Sequence, residues 1–369
     1  MSLQGRFGRA AKAKASREQK EAAERHLAAL ERELRDAKAR ASSLAAERVK
    51  LLSQLEVVEA LDVRSEQVKK RLAWLSPSAP SKGHRATLTL MVSDTHFDEV
   101  VDPAEVQDAN AYNRAIAEQR LRRTFEGGVR LAKHYLSGVT YDGCVLLLGG
   151  DIFSGNIHEE LARTNADTIF GSFLYWMDPM LAGIELLVKE FGRAHIVAVV
   201  GNHGRMSRKP IAKQRALDNL DYLFYRTLHK LAQRDGRMAE RVTWEVPRSP
   251  DANFSIYSVK YQLTHGDQFK GGSGISGLMA PLALGQHRKS RRQALIGKPY
   301  DYLVHGHWHQ QTAWKQIIGS GSLKGYDEFA FVNNWDFEVP QQPLWITTPE
   351  RGITFSAPVF SMDRKEEGW

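Results

Sequence analysis

Residues 88–96, LTLMVSDTH, constrain the fold more than any other stretch of the chain. An apolar run stops abruptly at Asp94-Thr95-His96. The run reads as a buried strand. Asp94 and His96 stand two residues apart, so they can leave the strand end on one side. Four later stretches repeat the design. Residues 144–148, CVLLL, end in Gly149-Gly150-Asp151, and residues 196–200, IVAVV, end in Gly201-Asn202-His203. Residues 261–264, YQLT, end in His265-Gly266-Asp267, and residues 302–304, YLV, lead into His305-Gly306-His307-Trp308-His309. Strand ends that deliver Asp, Asn and His to one rim are what a metal site needs.

The segments between these strands favour helix, at about 104–135, 159–191 and up to Gly236. Alternating strand and helix argue a layered α/β core. In such sheets ligands bind beyond the carboxyl ends of the strands, where the motifs sit. From Val242 the pattern turns to strands, at 243–246 and 253–264, and a Gly-rich loop follows at 271–274. Short strands then run to Phe360, with Pro349-Glu350-Arg351-Gly352 as a hairpin turn.

The first 75 residues are of another kind. Residues 1–15 are small and basic, with Arg6, Arg9, Lys12 and Lys14 and no acids, and read as a disordered tail. Residues 16–75 hold no Pro and no Gly. Positions 27, 30, 34, 37, 41, 44, 48, 51, 55, 58 and 62 alternate by three and four, and nine of the eleven are apolar. That spacing predicts a coiled coil, with Arg48 and Asp62 as seam positions that fix register. So narrow an apolar stripe needs a partner. Self-association is the favoured partner, ahead of a different protein; a helix folded back on the rest of the chain is the alternative. Residues 76–85, with Pro77 and Pro80 among small polar residues, form a linker. A globular domain then occupies 86–369.

Net charge is +8, which invites a nucleic-acid reading, but its distribution weakens it. Residues 1–75 hold 17 Lys and Arg against 11 Asp and Glu, so most of the excess lies in the arm. Any basic patch on the domain must be local, at 205–215 or 288–298. Cys144 is the only cysteine, which excludes an intrachain disulfide and fits a reducing compartment. With no apolar signal core and no run of membrane-spanning length, the expectation is a cytoplasmic protein with no membrane partner.

In this order, each after a strand, Asp-x-His, Gly-Asp, Gly-Asn-His, His and Gly-His-x-His resemble the calcineurin-like metallophosphoesterase superfamily. The resemblance covers about residues 86–335. Each motif alone is weak; five in order are specific. It implies a layered β-sandwich core flanked by helices, here preceded by the coiled-coil helix. It also implies two divalent ions, which in such enzymes lie about 3.5–4 Å apart, clamp a phosphate and lower the pKa of a water. Asp151 is the natural bridge, because a carboxylate has two oxygens to share. By resemblance, Asp94, His96 and His309 complete one ion, and Asn202, His265 and His307 the other. Mixed imidazole and carboxylate ligation suits Mn, Fe or Zn, with Mn favoured.

The resemblance makes His203 not a ligand but the catalytic residue beside the phosphate, stabilising the transition state or protonating the leaving oxygen. The chain departs from the family at the next position. Asp or Glu is common there; here Gly204 stands, followed by Arg205. Arg205 either grips the phosphate in place of that acid or merely begins a basic loop. His158 reads as a capping or surface residue, with an approach to substrate as the alternative. His305 reads as a core residue, and Trp308 and Trp314 as core rather than base-stacking aromatics. Asp267 either orients His265 or is an ordinary turn aspartate.

A metal site of this kind predicts phosphoester hydrolysis, not a substrate. The favoured reading is a phosphodiesterase acting on nucleic acid, because the motif set resembles that of the Mre11/SbcD nuclease branch and of phage-type members. The basic clusters flank metal motifs in sequence and could steer a phosphate backbone. The alternatives are a phosphatase or cyclic phosphodiesterase on small molecules or phosphoproteins, and a non-catalytic coiled-coil scaffold.

Overall fold

The computed structural model describes residues 30, 32–44, 84–136, 138–270, 277 and 279–369. The chain divides into two compact units, Met1–Lys70 and Arg71–Trp369. In the first, residues 32–44 are helical, and Leu30, Leu34 and Leu44 on the expected stripe are exposed. The basic tail, the rest of the coiled-coil prediction and all of the linker before His84 lie outside the described residues.

Two sheets build the second unit. Strands β1 (His84–Val92), β2 (Val139–Leu148), β3 (Ala194–Ala198) and β4 (Val242–Glu245) run parallel. Two antiparallel strands, β10 (Gln341–Thr348) and β11 (Gly352–Phe360), extend the β1 edge, giving the order β11-β10-β1-β2-β3-β4. The second sheet has the order β5-β6-β7-β9-β8, from Asp251–Ile256, Val259–Thr264, Tyr302–His305, Ile317–Gly319 and Thr312–Trp314. Within it β6 and β7 are parallel.

The mainly apolar runs at the carboxyl ends of β1, β2 and β3 follow from burial on both faces. On one face Leu88, Leu90, Val92, Leu146, Leu148 and Ile196 pack into the helix-side core. That core includes α1 (Arg114–Arg130), α4 (Met177–Phe191) and α5 (Leu220–Arg234), the crossovers of the parallel strands. On the other face Met91, Val145, Leu147 and Val197 meet Phe254, Tyr261, Leu263 and Val304 of the second sheet. Outside that sheet, Leu282 of α6 (Met279–Leu295) packs with Leu303 and Ile317. The order is helices, sheet, sheet, helix. The expected layered α/β core flanked by helices is what the chain forms.

Helix limits differ from expectation in two places. The helix expected from 104 begins at Arg114, where Asn113 Oδ1 accepts the Ile116 N–H at 3.0 Å; only a short 3-10 turn, Pro103–Val106, precedes it. The helix expected over 159–191 is three, α2 (Glu159–Thr164), α3 (Ile169–Tyr175) and α4. Thr168 starts the second by accepting from Gly171 N at 3.1 Å. Local side-chain capping competes here with a weak apolar periodicity. The segment 253–264 is a hairpin of two strands rather than one.

Candidate metal centre

The carboxyl ends of β1, β2 and β3 point the same way, as do those of β6 and β7. Beyond the strands the loops stay paired. Asp94 N–H donates to Gly150 O at 3.1 Å and His96 N–H to Asp151 O at 3.1 Å. Two glycines let the loops close on carboxylates. A Cβ at Gly201 would stand 2.1 Å from Asp151 Oδ1, and one at Gly306 2.3 Å from Asp94 Oδ2. Asp94, His96, Asp151, His307 and His309 all hold positive φ, between 44° and 72°. Non-glycine residues in that region cluster where surrounding structure forces them, often at functional sites.

The seven residues expected to hold metal come together. Donor atoms of Asp94, His96 and His309 lie within 4.8 Å of one another, as do those of Asp151, His265 and His307. Asn202 joins the second group, its Oδ1 3.1 Å from His265 Nε2. His96 Nε2 and His309 Nε2 face each other at 3.2 Å, and His309 Nε2 is 3.5 Å from Asp94 Oδ1. His265 Nε2 is 3.0 Å from Asp151 Oδ2. Its Nδ1 is 2.8 Å from Gly149 O. A carbonyl only accepts, so Nδ1 carries the proton and Nε2 is left for a ligand role. Asp94, His96, Asp151 and His265 are all buried. Buried imidazole nitrogens and carboxylates converging this closely suit divalent cations, so the donor set fits a pair of metal ions.

Electrostatics agree. Burial, then Lys324 and His203, lowers His96 to about 4. Burial, then His265, lowers His307 to about 4. Both rings are neutral and ready to ligate. Burial alone would raise Asp151, but His265 and His203 hold it well below the usual carboxylate range. Burial opposes charge on His265, yet Asp151 beside it raises that ring to about 10.

His203 sits at the edge of the cluster. Its ring lies 4.5 Å from that of His96, centroid to centroid, and its Nδ1–H donates to Ser154 O at 2.8 Å. One nitrogen of His203 also falls within 4.8 Å of donors from His96 and Asp151. His158 begins α2 without a capping bond, and its ring is 5.7 Å from that of His203. His305 is fully buried, with Nδ1–H donating to Gly306 O at 2.9 Å. Trp314 was expected in the core but is 42% exposed on the edge strand β8. Trp308 packs partly against the core around Phe269 and also lines the cavity beside the metal centre.

Arg205 is committed to its own loop. Its guanidinium donates to Ser207 O at 3.1 Å, Asn202 O at 2.9 Å and Arg208 O at 3.2 Å. Asp267 faces Arg215 at 2.8 Å. In the second basic cluster, Lys289 and Arg292 both pair with Asp251. Four of the basic residues that suggested a phosphate track therefore have structural work.

Three supporting residues escaped the sequence reading. Glu99 Oε2 lies 3.2 Å from His96 Nδ1, and Glu99 Oε1 accepts from Lys324 Nζ at 2.8 Å. Lys324 also pairs with Asp327, which caps α7 (Glu328–Val332) by accepting from Ala330 N at 2.7 Å. Asp221 is buried in the first turn of α5. It accepts from Asp151 N at 3.1 Å, Ile152 N at 3.3 Å and Gly201 N at 2.9 Å. One carboxylate thus holds two metal loops. A Cβ at Gly204 would meet Asn219 Oδ1 at 2.5 Å and Asp221 at 3.0 Å. The space an acid after His203 would need is taken by the start of α5.

No family model matches the chain, and no curated protein does. Among solved structures, Vps29 from Entamoeba histolytica is similar over 73% of this chain and 98% of its own, at 13% identity and a TM-score of 0.28. A dimetal phosphatase from Danio rerio aligns over 75% and 99%, at 9% identity and 0.29. A Streptococcus pneumoniae protein described as a predicted phosphoesterase aligns over 76% and 98%, at 12% and 0.26. Among the described residues no helix is long and apolar enough to cross a membrane.

Proposed function

We propose that this protein is a metal-dependent phosphoesterase that hydrolyses phosphodiesters. One observation carries the reading: seven Asp, Asn and His side chains from five strand ends meet in two adjoining groups, and buried Asp151 lies within reach of both, beside His265 on one side and within 4.8 Å of a His96 donor on the other. Asp94, His96 and His309 would hold one divalent ion; Asn202, His265 and His307 the other, with Asp151 between. Such a pair, when bound, clamps phosphate oxygens and supplies a nucleophilic water at neutral pH. The protein's own residues do the rest. Ser154 O fixes the His203 tautomer, which leaves Nε2 to face the reacting phosphate and stabilise or protonate the leaving oxygen. The buried rings exclude bulk water and fix the ligands before substrate arrives.

Nucleic acid remains the favoured source of the diester, with Mn the favoured metal and the 32–44 helix part of a self-associating coil. Exposed basic residues in the loop that follows His203, Arg208, Lys209 and Lys213, support phosphate steering. The second reading, a phosphoesterase on small molecules, is favoured by the partly open cavity of about 360 Å³ beside the metal groups. The experiment is hydrolysis of bis-(p-nitrophenyl) phosphate, p-nitrophenyl phosphate, single- and double-stranded DNA and RNA, each with Mn and with chelator. Diester cleavage that chelator abolishes is the expected result. Bound metal with no cleavage of any ester would sink the enzyme and leave a scaffold.

A further inference from the structure

We infer that the cavity beside the metal centre is a nucleobase subsite, shaped for a planar base that presents an amino group. This rests on the phosphoesterase reading and goes further, to the alcohol part of the substrate. The cavity shares His96, Asp151, His203 and His307 with the metal centre, so a phosphate at the ligands has its ester arm inside it.

The far wall is aromatic. Phe329 of α7 and Trp335 pack edge to face, with ring centroids 5.5 Å apart, and both line the cavity. They stay 58% and 41% exposed. Large aromatic side chains left open beside a polar centre offer a stacking surface, and stacking on an aromatic ring tolerates any base. The wall is also held in place. Asp327 caps α7 and pairs with Lys324, which pairs with Glu99 beside His96. Tyr326 Oη–H donates to Trp335 O at 3.0 Å. The relay that positions a metal ligand therefore also positions the aromatic pair.

Charge narrows the occupant. Glu160, Asp336 and Glu338 line the cavity, and among the described residues none of them has an ion-pair partner, although Glu338 already accepts the Gln311 N–H at 2.8 Å, which leaves Glu160 and Asp336 as the open acceptors. The lysine in the lining, Lys324, is already paired twice. Such a wall repels further phosphates, so a polyanionic strand does not run through it. Carboxylates accept from exocyclic amino groups, as Asp and Glu do from cytosine N4. The ester arm is thus a single base, taken from a free nucleotide or from the last nucleotide of a strand.

The test is calorimetric binding of cytidine 5′-monophosphate, uridine 5′-monophosphate and ribose 5-phosphate to the full-length Mn-loaded protein. The cytidine nucleotide should bind at least about tenfold more tightly than ribose 5-phosphate, in line with one stacked base. That advantage should vanish in the Phe329→Ala/Trp335→Ala double variant, with Mn affinity and ribose 5-phosphate binding unchanged. Equal binding of cytidine nucleotide and ribose 5-phosphate by the wild type, with Mn bound, overturns the subsite and leaves the phosphoesterase reading standing. Equal binding of the cytidine and uridine nucleotides removes the amino-group recognition. No Mn binding at all would overturn both readings together. A 5′-phosphorylated single strand beginning in C that displaces the nucleotide assigns the pocket to strand ends; one that does not assigns it to free nucleotides.

Discussion

Nδ1 of His96 lies 3.2 Å from Oε2 of Glu99, on the side of the imidazole away from the nitrogen that faces His309. A carboxylate behind a ligating histidine fixes the ring and strengthens it as a donor. Glu99 is itself held by Lys324. Glu99→Gln should therefore weaken Mn binding at the Asp94, His96 and His309 group by about 10–100-fold. Titration calorimetry on the apo protein reads this directly. Unchanged affinity would reduce Glu99 to a partner for Lys324.

Asp221 gathers three backbone N–H groups from the loops of Asp151 and Gly201. Asp221→Ala leaves these buried donors without acceptors, at about 1–3 kcal/mol each. The variant should melt well below wild type and show little stabilisation by added Mn. Asp221→Asn keeps one acceptor oxygen and should fall between. A thermal melt with and without Mn separates the two effects: a loss of stability that leaves the Mn increment intact would make Asp221 a folding residue alone.

His203 touches the metal groups without sharing their buried core. His203→Ala should keep both metals, measured by elemental analysis, and lose turnover by about 10²-fold or more. Asp151→Ala and His307→Ala should instead lose metal and activity together. Metal loss in His203→Ala would move that residue into the ligand set; retained turnover would deny it a catalytic role.

His265 sets a pH dependence with two signs. In the metal-free protein Asp151 raises its ring to about 10, against burial, from an ordinary value of 6.5. That stabilisation is complete below about pH 6.5 and is lost as pH climbs through about 10. Ligation needs the neutral ring, so Mn affinity should rise across the same window, with a proton released on binding. Melting of the chelated protein from pH 6 to 10, compared with His265→Gln, checks the first sign. Calorimetry in buffers of different ionisation heat checks the second. Metal binding that releases no proton at pH 7.5 would show that His265 is neutral beforehand.

The strand ends were legible because each ends a mainly apolar, buried stretch in a sudden polar stop, clearest in 144–148 and 196–200, where burial on both sheet faces leaves no polar residue in the run. Glu99, Asp221 and Lys324 were not. Asp221 reads as an ordinary first-turn acid, and Glu99 as one of several acids in a loop. Their roles depend on Lys324 and on loops far along the chain, which no local spacing encodes. Arg205 shows the opposite side of the same limit. A guanidinium two residues past Gly-Asn-His suggests phosphate, yet its donors meet three carbonyls of its own loop, which spacing in sequence does not encode. Helix limits at Arg114 and Ile169 were missed because side-chain caps, rather than apolar periodicity, decide them.

The ligands come from both layers of the sandwich. Asp94, Asp151 and Asn202 follow strands of the larger sheet, and His265, His307 and His309 follow strands of the smaller. Bound ions would therefore act as rivets across the seam, and any motion that slides one sheet over the other must first shear the coordination apart. Chelation should free that sliding motion, and loading should lock it.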